Sequence, residues 1–345
     1  MVTKYPIFEN ITQFYLPNEI CSIQSVCNPH YERAQRRSYE WIKTNQGYKN
    51  TVEERIYKNY ELPFLTSLFY PHCDEEKLCV LCNIMAWGFN FDNPEDKGLS
   101  FFKNHLRIIN EEPYHSTDVW EDLFSQTWNE IKIGFSKEQK SRFLAEMLLL
   151  LEHFQLENEM KQKGEIPDFD TLIQIHHITI GYLFFNTFLE YALEIDVSAF
   201  ISAIPDLNAL RMLGADHQCL VNDIFSFRKE FFEKDYNFNA ISALCFHEKC
   251  TLQEAINKVC KLLAEKEKEF IMLRNDLLLR YPVTAAKENL SLHKYINGLT
   301  DMVAGNYTWS LMTGRYHGFD FKPLILPCDI ILDPARTLFI PRATA

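Results

Sequence analysis

An all-α fold is predicted by three observations. Apolar residues recur at helical spacing over long uninterrupted stretches, no segment alternates as a hairpin strand would, and only 11 of 345 residues are glycine. Taken in order, helical runs are expected over about 31–45 (with Trp41), 76–91, 120–132, 139–161, 168–193, 206–232, 251–268 and 287–316. Between Gln139 and Lys161, the residues Phe143, Leu144, Met147, Leu148, Leu151 and Phe154 fall at the spacing of one apolar face. Thr251-Leu252-Gln253-Glu254 reads as a capping box ahead of an apolar stripe of Ala255, Ile256, Val259, Leu262 and Leu263. Lys266, Lys268 and the interspersed glutamates mark the solvated side of that helix. Beyond His317 the periodicity breaks, and Pro323, Pro327, Pro334 and Pro341 indicate an irregular tail. No repeat of 20–50 residues is evident.

Composition narrows the function classes. With 47% apolar residues the chain can fill one large core, and no Gly/Ser/Pro-rich linker divides it, so one main domain is expected. A net charge of −12 argues against nucleic acid as a partner, because phosphate backbones select basic surfaces. No run of 18 apolar residues exists and Met1-Val2-Thr3-Lys4-Tyr5-Pro6 has no signal-peptide core, so a soluble, cytoplasmic protein without stable membrane insertion is expected. The ten cysteines are scattered, mostly within apolar runs, and read as free buried thiols in a reducing compartment. Cys79-Val80-Leu81-Cys82 has no second pair, and the adjacent His176 and His177 do not share a helix face, so neither reads as a zinc site.

The most informative segment is Val221-Asn222-Asp223-Ile224-Phe225-Ser226-Phe227-Arg228-Lys229-Glu230. Asn222, Ser226 and Glu230 stand at i, i+4 and i+8, so on a helix an amide oxygen, a hydroxyl and a carboxylate stack on one face. Such hard oxygen ligands suit Mg²⁺ or Mn²⁺. The apolar neighbours Val221, Ile224, Phe225 and Phe227 predict that this helix is largely buried. Asp92 and Asp96, again i and i+4, follow the apolar stretch that ends at Phe89. The same Asp-Asn-Pro run would also serve simply to end a helix. Near the end of the last helical run, Trp309-Ser310 precedes Arg315-Tyr316, a planar cationic fork beside a phenol donor.

In this order the three segments resemble the class I terpene synthases, in particular the short microbial-type members. That pattern has an aspartate-rich motif after an apolar helix, an Asn-Asp-x-x-Ser-x-x-Lys-Glu motif two-thirds along, and Trp-Ser with Arg-Tyr near the C-terminus. Asn28-Pro29-His30 and Gly164-Glu165-Ile166-Pro167 fit the same register, so the likeness runs from about residue 28 to 316. Two departures stand out: Asn93 occupies a place where a second Asp is usual, and His176 stands where an arginine begins Arg-Arg-x-Thr-x-Gly. The resemblance implies a single helical bundle around an apolar cavity over 28–317, flanked by an N-terminal segment (1–27) and a tail (318–345).

The resemblance also implies chemistry. The substrate would be a linear prenyl diphosphate, most often farnesyl diphosphate, that ionises to an allylic cation and then cyclises. Three Mg²⁺ ions would be held by Asp92, and by Asp96, on one side and by Asn222, Ser226 and Glu230 on the other. Lys229, Arg315, Tyr316 and His176 would serve the diphosphate. Trp309, Phe89 and one of Phe184 or Phe185 would line the hydrocarbon end, and Gly181 would break its helix to line the cavity. A monomer or homodimer is expected. The rivals are a chain-elongating prenyltransferase of the same fold and an inactive helical interaction protein.

Overall fold

A computed structural model describes residues 8, 11–18, 20–91, 99–233, 237–319 and 322–332. It begins with strand β1 (Gln13–Leu16) and continues through α1 (Tyr31–Thr44), α2 (Thr51–Tyr60), α3 (Leu62–Phe69), α4 (Glu75–Phe91), α5 (Leu99–Ile109) and α6 (Val119–Ile131). The middle holds α7 (Lys137–Lys163), α8 (Phe169–Thr179), α9 (Tyr182–Leu193), α10 (Ser198–Ala203) and the long α11 (Pro205–Glu233). The end holds α12 (Ala240–His247), α13 (Leu252–Arg280), α14 (Asn289–Met312), the single turn α15 (Gly314–His317) and β2 (Cys328–Ile331). The all-α class holds.

Local chemistry sets the ends of the longer helices. Ser136 and Gln139 close a capping box at the start of α7, and Thr251 with Glu254 closes the one expected for α13. Asp168 caps α8 by accepting from the Thr171 amide. The helical run expected over 168–193 is interrupted at Gly181: α8 stops at Thr179, and Gly181, at φ +75°, takes the left-handed conformation that starts α9. The run expected over 251–268 continues to Arg280 as α13, the other expected boundaries fall within a few residues of the observed ones, and helices α2, α3, α5, α10 and α12 were not anticipated.

The buried stripe of α7 is Phe143, Met147, Leu150 and Phe154; Leu148, placed on the apolar face by its spacing, is exposed. At 3.6 residues per turn Leu148 lies roughly 130° round the helix from the centre of that stripe, beyond the partly buried Leu144 and Leu151. In α13 the stripe is as expected, with Ala255, Ile256, Val259 and Leu263 buried and Leu262 only partly so.

The two strands were not foreseen. β1 and β2 pair antiparallel, with Gln13 opposite Ile331 and Leu16 opposite Cys328, so the N-terminal segment and the tail meet. Gln253 extends the ribbon's other edge: its Oε1 accepts from the Tyr15 amide at 2.8 Å and its Nε2 donates to the Tyr15 carbonyl at 3.0 Å. A side-chain amide thus stands in for a third strand, which no residue alternation could signal. All ten cysteines are free thiols.

Helix α11 is the centre of the bundle, packed against α13, α14, α8, α9 and α15. Its Val221, Ile224 and Phe227 are fully buried, as the sequence requires. Helix α14 crosses α3 closely at Gly305, where an added Cβ would sit 2.9 Å from Leu68 Cβ and 3.1 Å from the Leu68 backbone. Replacing a mid-helix glycine by alanine ordinarily gains about 1 kcal/mol. Here the obstacle is backbone that cannot move aside, and overpacking costs about 1–3 kcal/mol. Gly305→Ala should therefore lower the stability measured by urea unfolding rather than raise it.

Candidate active site

One large cavity, about 1040 Å³, opens among α4, α7, α8, α11, α14 and α15. Its polar end is built on the last turns of α11. Asn222, Ser226, Lys229 and Glu230 all line it, as do His176 and Gly181 from the α8–α9 break and Arg315 and Tyr316 from α15. Its apolar end carries Trp87, Phe89, Phe184, Phe185 and Trp309. Ten of the twelve residues singled out from the sequence therefore face one space. The other two, Asp92 and Asp96, lie outside the described residues; Phe89 and Asn90, just before them, line the cavity.

Each polar group is held by its neighbours. Asn222 Nδ2 donates to Tyr316 Oη at 2.8 Å, and its Oδ1 accepts no hydrogen bond from the described residues. Ser226 Oγ is buried without a hydrogen-bond partner. Glu230 Oε2 accepts from Asn239 Nδ2 at 2.9 Å. That same amide donates to the Asp223 carbonyl at 3.0 Å, while Asn239 Oδ1 caps α12 through the Ile241 amide. Burial pushes the Glu230 carboxyl up to about 7 and Asp223 adds to this, against weaker opposition from Ser226, Lys229 and Asn239. Lys229 Nζ is 3.3 Å from Glu233, so much of its charge is committed elsewhere.

This donor set suits a divalent cation. An amide oxygen, a buried hydroxyl without a hydrogen bond of good geometry and a partly buried carboxyl share one helix face. Holding such a carboxyl ionised at neutral pH costs on the order of 3 kcal/mol relative to water. A cation at the site would offset that cost.

His176 is buried, with Nδ1 3.4 Å from Asp223 Oδ1, an ion-pair contact without hydrogen-bond geometry. Burial alone would lower its pKa, but Asp223, Glu157 and Glu230 together outweigh burial and the net direction is upward. Asp223 is itself fixed by the Ala240 amide, which donates to Oδ2 at 3.0 Å. An imidazolium therefore has its counter-ion in place where the related pattern would have arginine. Glu157 and Lys161, an ion pair at 2.9 Å on α7, also line the cavity. Sequence reasoning missed them because an i, i+4 Glu–Lys pair is the commonest decoration of a solvated helix. Asp223 was visible inside the Asn/Ser/Glu segment but carried no assigned role.

The aromatic end is rigid. Trp309 Nε1 donates to the Tyr60 carbonyl at 2.8 Å, and its ring meets Phe89 and Tyr316 edge-on, at 5.6 and 5.3 Å between centroids. The Arg315 guanidinium lies 5.0 Å from the Phe89 ring and 5.1 Å from that of Tyr60, a double cation–π contact that holds it at the boundary of the two ends.

Comparison with known proteins agrees with this arrangement. Residues 84–269 match the family model described as terpene synthase family 2, C-terminal metal binding. The chain belongs to the terpene synthases. A (+)-germacrene D synthase of Selaginella moellendorffii is 30% identical over 325 residues, covering 87% of this chain and 90% of that protein. Microbial Terpene synthase-like protein 13 of the same organism is 24% identical, covering 90% and 89%. Among solved structures, an α-eudesmol synthase superposes with a TM-score of 0.76 at 20% identity, covering 84% of this chain and 96% of that one. The linalool/nerolidol synthase of Streptomyces clavuligerus gives 0.75 at 20% identity, over 83% and 98%. The fold is thus that of the class I terpene synthases. No helix among the described residues is long and apolar enough to cross a membrane.

His317 supports the Arg315–Tyr316 turn from behind. It is buried, its Nε2–H donates to the Ser310 carbonyl at 2.8 Å, and its own carbonyl accepts from Arg228 at 3.3 Å. Burial, reinforced by Arg228, lowers its pKa to about 4 despite the Ser310 contact. A histidine with a depressed folded-state pKa contributes stability that is present above about 6.5 and lost as pH falls toward 4. The loss should reach on the order of 3 kcal/mol. His317→Gln keeps a donor but does not titrate, so unfolding free energies across that window should fall less steeply for the variant than for the native protein.

Proposed function

We propose that this terpene synthase ionises a linear prenyl diphosphate, farnesyl diphosphate in the first instance, with Mg²⁺ and turns the allylic cation into a cyclic or hydrated sesquiterpene. The observation that carries the reading is the two-ended cavity. Metal-suited oxygens and diphosphate-suited cations share one end, and a cluster of aromatic rings lines the other. The C15 choice rests on relatives that include the (+)-germacrene D synthase and a sesquiterpene synthase of Postia placenta.

Asn222, Ser226 and Glu230, with Asp92 and Asp96 as further ligands, would hold divalent cations that would supply Lewis-acid neutralisation of the departing diphosphate. The protein's own groups do the remainder. Lys229, His176, Arg315 and Tyr316 donate to the leaving group, where negative charge accumulates as the C–O bond breaks and a low dielectric magnifies each contact. Asn222 and Tyr316 orient one another through their hydrogen bond. The faces of Trp309, Phe89 and Phe185 steady the cation and exclude water. A final proton loss, or capture of one water, ends the sequence.

Incubation of the purified protein with farnesyl diphosphate and Mg²⁺ should give a C15 hydrocarbon or alcohol by gas chromatography–mass spectrometry, and none in excess chelator. A longer prenyl diphosphate would instead identify an elongating prenyltransferase, and no product from any C10, C15 or C20 substrate an inactive protein. Glu230→Gln should abolish turnover while leaving the helical circular-dichroism spectrum unchanged. His176→Ala should lower kcat/KM by about 30–150-fold, the size of one charge-assisted contact worth roughly 2–3 kcal/mol. Its alkaline limb should flatten in His176→Arg. Native kinetics for His176→Ala would leave diphosphate recognition to Lys229, Arg315 and Tyr316.

A further inference from the structure

A second cluster of ligand-type side chains lies away from the cavity, where the segment before α1 crosses α11 and α13. Cys21 Sγ is 3.3 Å from His217 Nε2, and His217 Nε2 is 3.2 Å from Glu267 Oε2. The three ligand atoms all lie within 4.8 Å of one another. His217 is fully buried, Glu267 nearly so, and Cys21 is half-buried at the rim. None of the three lines the cavity. His217 precedes Asn222 by five residues on α11, a rotation of about 140° beyond one full turn, so it faces another side of the same helix.

We propose that Cys21, His217 and Glu267 form a structural Zn²⁺ site that fastens the N-terminal segment to the bundle.

The geometry favours a metal over hydrogen bonds alone. Sulfur and carboxylate oxygen both approach the same ring nitrogen, and Nε2 has one hydrogen at most to share between them. A tetrahedral Zn²⁺ with bonds of about 2.0–2.1 Å to N and O and about 2.3 Å to S would set its ligands about 3.3–3.6 Å apart. The observed 3.2 and 3.3 Å are near that spacing without a large rearrangement. A thiolate, an imidazole and a carboxylate together select Zn²⁺ over Mg²⁺, which prefers oxygen alone.

Charge points the same way. Ser22 donates both its amide (2.7 Å) and its hydroxyl (2.5 Å) to Glu267 Oε1, which orients the carboxylate and leaves Oε2 toward His217. Against the effect of burial, the His217 contact first, and then those from Ser22, hold the Glu267 carboxyl below its ordinary pKa. In the metal-free protein burial, with Glu267 adding to it, holds Cys21 as the neutral thiol. On binding, the Cys21 S–H bond breaks, its proton passes to the buffer, and the sulfur lone pair goes to the metal. Zn²⁺ with one thiolate, one carboxylate and a neutral imidazole sums to zero, the cheapest charge to bury. The three side chains would leave one tetrahedral position for solvent.

The test uses the full chain, stripped with chelator and then held in excess Mg²⁺ so that oxygen-only sites are saturated. Co²⁺, titrated as the spectroscopic probe for Zn²⁺, should give a sulfur-to-cobalt charge-transfer band that saturates at one equivalent and is displaced by Zn²⁺. Cys21→Ser should lose that band and weaken Zn²⁺ binding by more than about 100-fold, beyond what outer-shell changes cause. Cys27→Ser, which alters a neighbouring exposed thiol, should retain both. Zn²⁺ should raise the melting temperature of the native protein but not of Cys21→Ser. Absence of the band in the native protein, or an equal band in Cys21→Ser, overturns the proposal and leaves the cluster a hydrogen-bonded anchor. Because every readout is binding or melting, failure here would not bear on the catalytic reading.

Discussion

The central helix α11 carries one buried carboxylate and a second, partly buried one at the cavity wall, and much of the surrounding structure follows from that requirement. Asp223 and Glu230 are seven residues apart, two turns along the same face, and acids removed from bulk water are costly unless they find partners. Asn239 answers part of the need by giving one amide nitrogen to the Asp223 carbonyl and to Glu230. The first turn of α12 answers another part, because the Ala240 amide points at Asp223 Oδ2. His176 supplies the charge. What remains unanswered is Glu230, whose carboxyl burial still pushes up to about 7. On the proposed reading, a divalent cation at that end of the cavity would offset this cost.

The arrangement also accounts for a histidine in a place where the related pattern has arginine. An arginine carries its charge anywhere, so it needs no help from its surroundings. A buried imidazole would ordinarily lose its proton, since desolvation works against the charged form. Here Asp223, Glu157 and Glu230 together reverse that tendency. The substitution therefore demands an acidic neighbourhood. Lys161 tempers it: paired to Glu157 at 2.9 Å, it keeps that acid ionised while limiting the excess of negative charge.

Much of this was legible in the sequence, for identifiable reasons. The i, i+4, i+8 spacing of Asn222, Ser226 and Glu230 is a local property of one helix, so their convergence needed no knowledge of the fold. Arg315, Tyr316 and Trp309 could be placed because they share a short stretch at the end of α14 and in α15. Gly181 was legible as a helix break because its side-chain-free backbone has little other use there. What could not be read depends on contacts far apart in the chain. The β1–β2 ribbon joins residues more than 300 positions apart and is edged by a glutamine rather than a strand. Glu157 and Lys161 look like a surface pair until α8 and α11 are laid against them. Leu148 fits an apolar spacing on α7 and is nevertheless exposed, because the buried stripe is centred on Phe143, Met147, Leu150 and Phe154, roughly 130° round the helix. Cys21 and His217 are 196 residues apart and His217 and Glu267 are 50 apart, beyond any motif search.

The two ends of the cavity are coupled through Arg315. Its guanidinium stacks over Phe89 and Tyr60, and the neighbouring Tyr316 is hydrogen-bonded to Asn222. A cation over an aromatic face gives up part of its hydration, so it meets an incoming anion with less water to shed. Phe89, in turn, touches Trp309 edge-on, and Trp309 is tied to the Tyr60 carbonyl that also accepts from Thr313. The hydroxyl of Thr313 caps the turn bearing Arg315. Movement of the guanidinium toward an anion must therefore strain the same ring stack that shapes the apolar wall. On the proposed reading, charge recognition and hydrocarbon folding are set by one mechanical unit, which explains why an arginine and a tyrosine are held on a single turn so close to the aromatic floor.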